Sequence, residues 1–331
     1  MKKSINAVVY ERHGIPAEVL QLVEEPWPEP RDGEVVVEMR AAPINPADLN
    51  AIEGKYPGRR EVPAIPGFEG AGTVVAVGGN VSGIALNDLV IPPHHLGTWR
   101  EAVAVDAKEL VVVPSGIDAA QAAMLKINPL TAWRLLHGYV QLEEGDWLMQ
   151  NAANSAAGCA VIQIARELGY KTVNLVRRAE LIPELKKMGA DVVLLDDEHV
   201  RDEVRKATGG AEIRLGLNCV GGDSALRVAN SLAHGATLVT FGSMSLQPLK
   251  VPIGLLIFKD LRVRGIWINR WYDEASPTQR MEAFGPIFEM AKRGSLATPI
   301  EKRYPLSEFK AAVAHAAKNA RTGKIIFDFQ R

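Results

Sequence analysis

The stretch that most constrains this chain is residues 146–178. It opens with the strand-length run Asp146-Trp-Leu-Met-Gln-Asn151, passes through the small-residue turn Ala152-Ala-Asn-Ser-Ala-Ala-Gly158, and continues over residues 159–168. In that third piece Ala160, Val161, Ile164, Ala165 and Leu168 fall on one face, the apolar stripe of an amphipathic helix. Gly169 closes the helix, and Thr172-Val-Asn-Leu-Val176 supplies a second strand. The three pieces make one βαβ unit, and its right-handed crossover sets the two strands parallel.

The turn admits two readings. Small residues let the backbone approach a pyrophosphate, which then rests at the positive end of the helix; the same turn also serves an ordinary α/β crossover. Three glycines mark the dinucleotide pattern, and only Gly158 is present here, with Ser155 and Ala156 where glycine is usual. The end of the second strand tips the balance. An NAD site places Asp or Glu there to hold the ribose 2′-hydroxyl, whereas this chain has Arg177 and Arg178, which suit a 2′-phosphate. The expectation is NADP(H), held across Asn154, Ser155, Ala156, Ala157 and Gly158.

At 331 residues the chain is long for one core, and two domains are expected. Its 38 basic and 39 acidic residues leave a net charge of −1, which gives no reason to expect a nucleic-acid or membrane-surface partner. No apolar run reaches transmembrane length. Met1-Lys-Lys is followed at once by the strand-like Ile5-Asn-Ala-Val-Val-Tyr10, so no signal or transit peptide is expected. Cys159 and Cys219 lie in the helix after the turn and in an apolar strand, as reduced core thiols of a cytoplasmic protein would.

Residues 1 to about 120 read as mostly β, with β-branched runs at 35–39, 72–77, 88–91 and 102–105 separated by glycine or proline breaks. From Ile117 onward helix and strand patterns alternate. Strand candidates are 146–151, 172–176, 191–195, 215–220, 236–241 and 262–268, which argues a doubly wound parallel sheet. Amphipathic helices follow at 279–293 and 306–318, and the chain ends in the strand-like run 324–329.

Taken together, Ala7-Val-Val-Tyr10, Ile44-Asn-Pro-Ala-Asp48, Gly67-Phe-Glu-Gly70, the segment 78–88 and the nucleotide unit occur in the order of the medium-chain dehydrogenase/reductase superfamily, which this chain resembles over essentially its whole length. The resemblance implies an α/β protein: a GroES-like β-rich catalytic domain (1–122 and 272–331) interrupted by a Rossmann nucleotide-binding domain (123–271). Four stretches resemble the zinc-free 2-enoyl thioester reductases within it. They are Ile44-Asn-Pro-Ala-Asp-Leu-Asn50 with Tyr56 shortly after, Asn128-Pro-Leu-Thr-Ala132, residues 151–163, and Leu256-Ile-Phe-Lys-Asp-Leu-Arg-Val-Arg-Gly-Ile-Trp267. In that family a hydride passes from NADPH to Cβ of a trans-2-enoyl thioester carried on CoA or acyl carrier protein.

Zinc-bearing relatives place a Cys near the position of Asn45 and a His where Phe68 stands, next to Glu69; neither ligand type is present, and no cysteine cluster lies between Pro92 and Pro114. His94-His95 are adjacent, and side chains next to each other in an extended segment face opposite ways, so no metal is expected. Without a Lewis acid a carbonyl loses its usual electrophile, whereas an activated alkene needs only donors for the enolate oxygen and a proton for Cα. The resemblance makes Tyr56 the proton donor; on its residues alone, a Tyr between Gly and Pro fills a loop.

The resemblance implies further cofactor contacts from Asn45, from Asn128 before a helix over 131–136, from Phe241, Gly242, Ser243 and Met244 after the fifth nucleotide strand, and from Ile266, Trp267 and Ile268. Trp267 either lines the nicotinamide pocket or is a buried aromatic at a strand end. Asn45 and Asp48 either orient the tyrosine loop or cap a turn, and Lys324 either returns to the cofactor phosphates or is a solvated strand-entry charge. Three functions follow: an NADPH-dependent enoyl thioester reductase, a zinc-free NADPH quinone oxidoreductase, and a non-catalytic nucleotide-binding protein. The run 261–267, last in the nucleotide sheet, leaves an open edge, and a homodimer is expected there.

Overall fold

The computed structural model describes residues 3–58, 60–318 and 321–329. The chain divides into two compact units, Met1–Lys126 with Ala297–Arg331, and Ile127–Leu296. In chain order the strands are β1 (Ser4–Tyr10), β2 (Leu20–Pro26), β3 (Glu34–Pro43), β4 (Ala71–Val77), β5 (Leu89–Ile91), β6 (Ala102–Asp106), β7 (Val111–Val112), β8 (Trp147–Gln150), β9 (Lys171–Val176), β10 (Val192–Leu195), β11 (Ile213–Asn218), β12 (Thr237–Thr240), β13 (Arg262–Gly265), β14 (Ile300–Tyr304) and β15 (Lys324–Asp328).

The first unit is β-rich. Its main sheet runs β14-β15-β3-β4-β5-β7, with β6 also paired to β3, and β1 and β2 form a separate antiparallel ribbon. The long strand β3 is the hub: Val35, Val37 and Met39 on it pack with Val74, Val90, Val103 and Val105 into one apolar cluster. The C-terminal segment closes a second cluster, in which Phe309, Val313, Ile325 and Phe327 meet Val8, Tyr10, Leu20 and Trp99. Hence the last residues belong to the core of the first unit although they arrive some 200 positions after its other strands.

The second unit is a parallel sheet of order β10-β9-β8-β11-β12-β13, the doubly wound order in which successive strands leave the centre in opposite directions. Both faces of β8, β9, β11 and β12 are largely buried, as in a sheet covered on both sides. The unit ends at Leu296, later than the expected boundary at 271. Helix Pro277–Arg293 accounts for the difference: it starts on the Ser276/Gln279 capping box and packs against helix Asn128–His137 of this unit, burying Phe284, Ile287 and Phe288. Two more expectations are corrected. The strand expected over 262–268 stops at Gly265, because Trp267 caps a helix over Ile268–Glu274. Asn128 does not precede its helix but is the first residue of it.

Candidate active site

The turn after β8 is built by close backbone approach. Ala152 takes the left-handed conformation (φ 48°). Ser155 then caps helix Ala156–Glu167, its Oγ accepting from the Gly158 N–H at 3.1 Å. A β-carbon at Gly158 would lie 2.6 Å from the Ala153 carbonyl oxygen and 2.8 Å from that of Ala152, so only glycine lets the helix begin against the turn. Asn154 is exposed, Ser155 and Ala156 are half-buried, and Ala157 is buried. The N–H groups of Ala156 and Ala157, in the helix's first turn, have no carbonyl one helical turn earlier to bond, which leaves a positive end at the turn.

Beneath the turn lies a polar layer that sequence reading missed. Asn151 donates from Nδ2 to Asn218 Oδ1 (2.8 Å) and Ser224 Oγ (2.9 Å), and its Oδ1 accepts from the Cys219 N–H (2.8 Å). This buried residue therefore joins the ends of β8 and β11, the two central strands where the order of the sheet reverses and where open α/β sheets bind ligands. Gln150 and Asn174 form a second buried pair at 2.7 Å, and Gln150 also donates to the Gly158 carbonyl at 3.0 Å. In sequence both strands look like apolar runs interrupted by amides. Those amides are the signal, since a buried amide must be hydrogen-bonded.

Other expected cofactor residues of this unit also lie at the C-terminal ends of its parallel strands. Arg177, exposed, and Arg178, half-buried, follow β9 with no carboxylate between; Arg178 Nη1 sits 3.4 Å from Glu180 Oε1. Phe241, Gly242, Ser243 and Met244 follow β12, tied down by Phe241 N–H to Asn218 O (3.0 Å) and Met244 N–H to Cys219 O (3.0 Å). A β-carbon at Gly242 would meet Cys219 Sγ at 2.6 Å. Ile266 follows β13 and bonds to Thr240 O at 3.1 Å, and Trp267 is 41% exposed, which corrects the reading of it as a buried aromatic.

The β-rich unit gathers Asn45, Asp48, Glu69 and Lys324, all buried. Pro46 opens helix Pro46–Ile52, and Asp48 reaches back to accept from the Asn45 N–H at 2.7 Å and from the Phe68 N–H at 2.9 Å. Asn45 Nδ2 donates to Glu69 Oε1 at 2.8 Å, and Lys324 Nζ donates to Asn45 Oδ1. Lys324 is thus no solvated strand-entry charge. Its ammonium is held beside two carboxylates inside the unit, where burial lowers its pKa and Glu69 and Asp48 oppose that. Asp48 is pushed the other way, up to about 7, chiefly by burial.

Tyr56 is half-buried in the loop after this helix, between Gly54 and Gly58, both at positive φ, and its ring lies 5.2 Å from that of Phe68. Arg60 anchors the same loop, donating to the Ile65 carbonyl at 2.6 Å and the His94 carbonyl at 2.5 Å, with its guanidinium 4.8 Å from the Phe68 ring. Among the described residues no three His, Cys, Asp or Glu side chains converge to hold a metal ion. Burial pushes Cys159 and Cys219 up to about 12, so neither is a thiolate nucleophile. No helix among the described residues is long and apolar enough to cross a membrane.

These features fit NADP(H): a helix start closed by a glycine that tolerates no β-carbon, a reversal point bridged by Asn151, and at the end of β9 two arginines in place of the ribose-binding carboxylate of an NAD site. Residues 31–115 match the family model described as alcohol dehydrogenase GroES-like domain, and residues 156–283 that of zinc-binding dehydrogenase. The human mitochondrial enoyl-[acyl-carrier-protein] reductase is 42% identical over 320 residues, 95% of this chain and 86% of the relative. The Caenorhabditis elegans protein of the same name is 44% identical over 300 residues, 88% of this chain and 86% of the relative. Among solved structures, the complex of Etr1p with NADP and crotonyl-CoA superposes with a TM-score of 0.89 at 28% identity, covering 98% of this chain and 100% of that one. The Candida tropicalis mitochondrial 2-enoyl thioester reductase Etr1p/Etr2p heterodimer gives 0.88 at 29%, covering 98% and 100%. A mycobacterial quinone oxidoreductase gives 0.88 at 27%, covering 98% and 100%. The relatives' names overturn the cytoplasmic expectation, since the human and nematode proteins are both mitochondrial.

Proposed function

The chain belongs to the enoyl thioester reductases of the medium-chain dehydrogenase/reductase superfamily, and from that premise we propose that it reduces the C2=C3 bond of trans-2-enoyl thioesters with NADPH. The observation that carries this reading is the 42% identity to an enoyl reductase along 95% of the chain. NADPH, when bound, supplies the hydride that adds to C3. The positive start of helix Ala156–Glu167 holds the pyrophosphate, and Arg177 and Arg178 hold the 2′-phosphate. Asn128, the loop 241–244 and the residues Ile266, Trp267 and Ile268 border the ribose and nicotinamide.

Hydride addition at C3 leaves an enolate, and C2 then needs a proton. Tyr56 donates it: a phenol with a reference pKa of about 10 is protonated at neutral pH without tuning. We assign Asn45 and Lys324, which are bonded to each other inside the β-rich unit, to holding that loop in place rather than to a direct contact with cofactor phosphate. The substrate is an acyl thioester of CoA or acyl carrier protein. Quinone reduction is the second reading, favoured by the likeness to the mycobacterial quinone oxidoreductase. NADPH oxidation measured side by side with crotonyl-CoA, longer enoyl-CoAs and a quinone separates the readings. Turnover of the enoyl thioesters is expected; turnover of the quinone alone supports the second reading, and turnover of neither supports a non-catalytic nucleotide-binding protein.

We also propose a homodimer through β13. This strand ends the sheet with all four residues exposed, and Ile253, Ile257 and Phe258 beside it in sequence are 70%, 65% and 82% exposed. Sedimentation at micromolar concentration is expected to give a dimer, and a monomer would contradict it.

A further inference from the structure

We propose that Asp48 is a positioning residue for the proton-delivery step: its carboxylate fixes Phe68, the ring on which Tyr56 rests, and so holds the phenol where C2 receives its proton. The proposal rests on the reading of Tyr56 as the donor. Its geometry lies within one unit. One carboxylate oxygen accepts from the Asn45 N–H (2.7 Å) and the other from the Phe68 N–H (2.9 Å), so a single side chain ties the start of helix Pro46–Ile52 to the residue after Gly67. The backbone there has no slack. Gly67 sits at φ +99°, and a β-carbon on it would lie 2.3 Å from Thr98 Oγ1. Phe68 is 6% exposed, with the Tyr56 ring at 5.2 Å and the Arg60 guanidinium at 4.8 Å. The position of the Phe68 backbone therefore sets the surface against which Tyr56 packs.

The protonation state of Asp48 decides whether both ties hold. Its carboxyl is pushed up to about 7, first by burial; Glu69 pushes the same way, while the N–H donors of Asn45 and Phe68 and the Lys324 ammonium pull against it. Among the described residues, Arg60 from the tyrosine loop and Tyr10 from β1 also face it. Two N–H donors aimed at two oxygens match the carboxylate. In the neutral acid one oxygen becomes a hydroxyl, and its lone-pair acceptance from an N–H weakens. Loss of a proton-donor geometry of this kind costs about tenfold to hundredfold in rate.

The test is the pH profile of kcat for crotonyl-CoA reduction in the parent, Asp48→Asn, Tyr56→Phe and the double variant, with NADPH binding measured by fluorescence in each. In the parent, kcat is expected to fall by about tenfold to hundredfold as the pH drops through about 7. Asp48→Asn should be slow by that factor at every pH, with no limb near neutrality and NADPH affinity unchanged. Tyr56→Phe should also lack the limb, and adding Asp48→Asn to it should cost nothing further, because both changes act on one step. If Asp48→Asn does not fold, the parent and Tyr56→Phe profiles decide the matter by themselves. A parent without the limb, a limb that survives in Tyr56→Phe, or costs that multiply in the double variant overturns the role of Asp48 while leaving Tyr56 in place. Full kcat in Tyr56→Phe alone instead removes the donor reading on which the proposal stands.

Discussion

The turn at 152–158 and the cluster of Asn45, Asp48, Glu69 and Lys324 meet opposite physical demands. The turn offers backbone: a glycine that admits no β-carbon, a serine cap, and the N–H groups of a helix start. Side chains matter there mainly by being small, and charge is supplied separately by two arginines on the surface after β9. The cluster offers side chains, all buried: Asn45 bridges Glu69 and Lys324, and Asp48 accepts from two backbone N–H groups. Away from Gly158, a site made of backbone tolerates replacement of one small residue by another, which is how Ser155 and Ala156 stand where glycine is usual. A site made of buried charges does not tolerate the loss of one member, because the partner left behind has neither water nor a counter-charge.

That contrast can be broken most easily at Lys324. Lys324→Met removes the ammonium beside Glu69 and Asp48, and it is expected to destabilise the protein by about 3–5 kcal/mol in denaturant unfolding. A loss below 1 kcal/mol, which is about the worth of an exposed ion pair, would show that the cluster is wetter or looser than its burial indicates. The backbone site is expected to yield less. Gly158→Ala forces a β-carbon into the 2.6 Å approach of the Ala153 carbonyl, which should cost about 1–3 kcal/mol of stability and weaken NADPH binding together with it. An alanine variant that is both stable and unimpaired in NADPH binding would mean that the helix start has room to shift.

The surface arginines should show the smallest effect on folding. Replacing Arg177 and Arg178 by Ala is expected to change stability by no more than about 0.5 kcal/mol, since neither is buried. The KM for NADPH should nevertheless rise by about tenfold or more, with that for NADH unmoved. Equal loss with both cofactors would place these arginines elsewhere than at the 2′-phosphate.

The same contrast explains which parts were legible in the sequence. The unit over 146–178 was readable because its determinants are local: an apolar run, a turn of small residues, a helical stripe and a second run. The buried cluster was not, because Lys324 and its partner Asn45 lie 279 positions apart and neither carries a local mark of burial. The resemblance implies cofactor contacts from Asn45 and Lys324; that the two are bonded to one another is visible only in the structure. Strand β14, Ile-Glu-Lys-Arg-Tyr, was missed because its residues are mostly exposed and its pattern is that of a charged loop. Asn151 and Gln150 read only as part of a strand-length run, because their partners Asn218 and Asn174 lie on other strands: Asn151 joins β8 to β11, and Gln150 joins β8 to β9.

Delivery by Tyr56 of the proton that completes enoyl thioester reduction is put to the test by kcat for crotonyl-CoA in Tyr56→Phe. Phenylalanine keeps the ring that packs 5.2 Å from Phe68 and removes only the hydroxyl. A fall in kcat of about 10²–10⁴-fold is expected, with NADPH affinity and thermal stability unchanged. Retention of the parent's kcat would contradict it and take Tyr56 out of the mechanism.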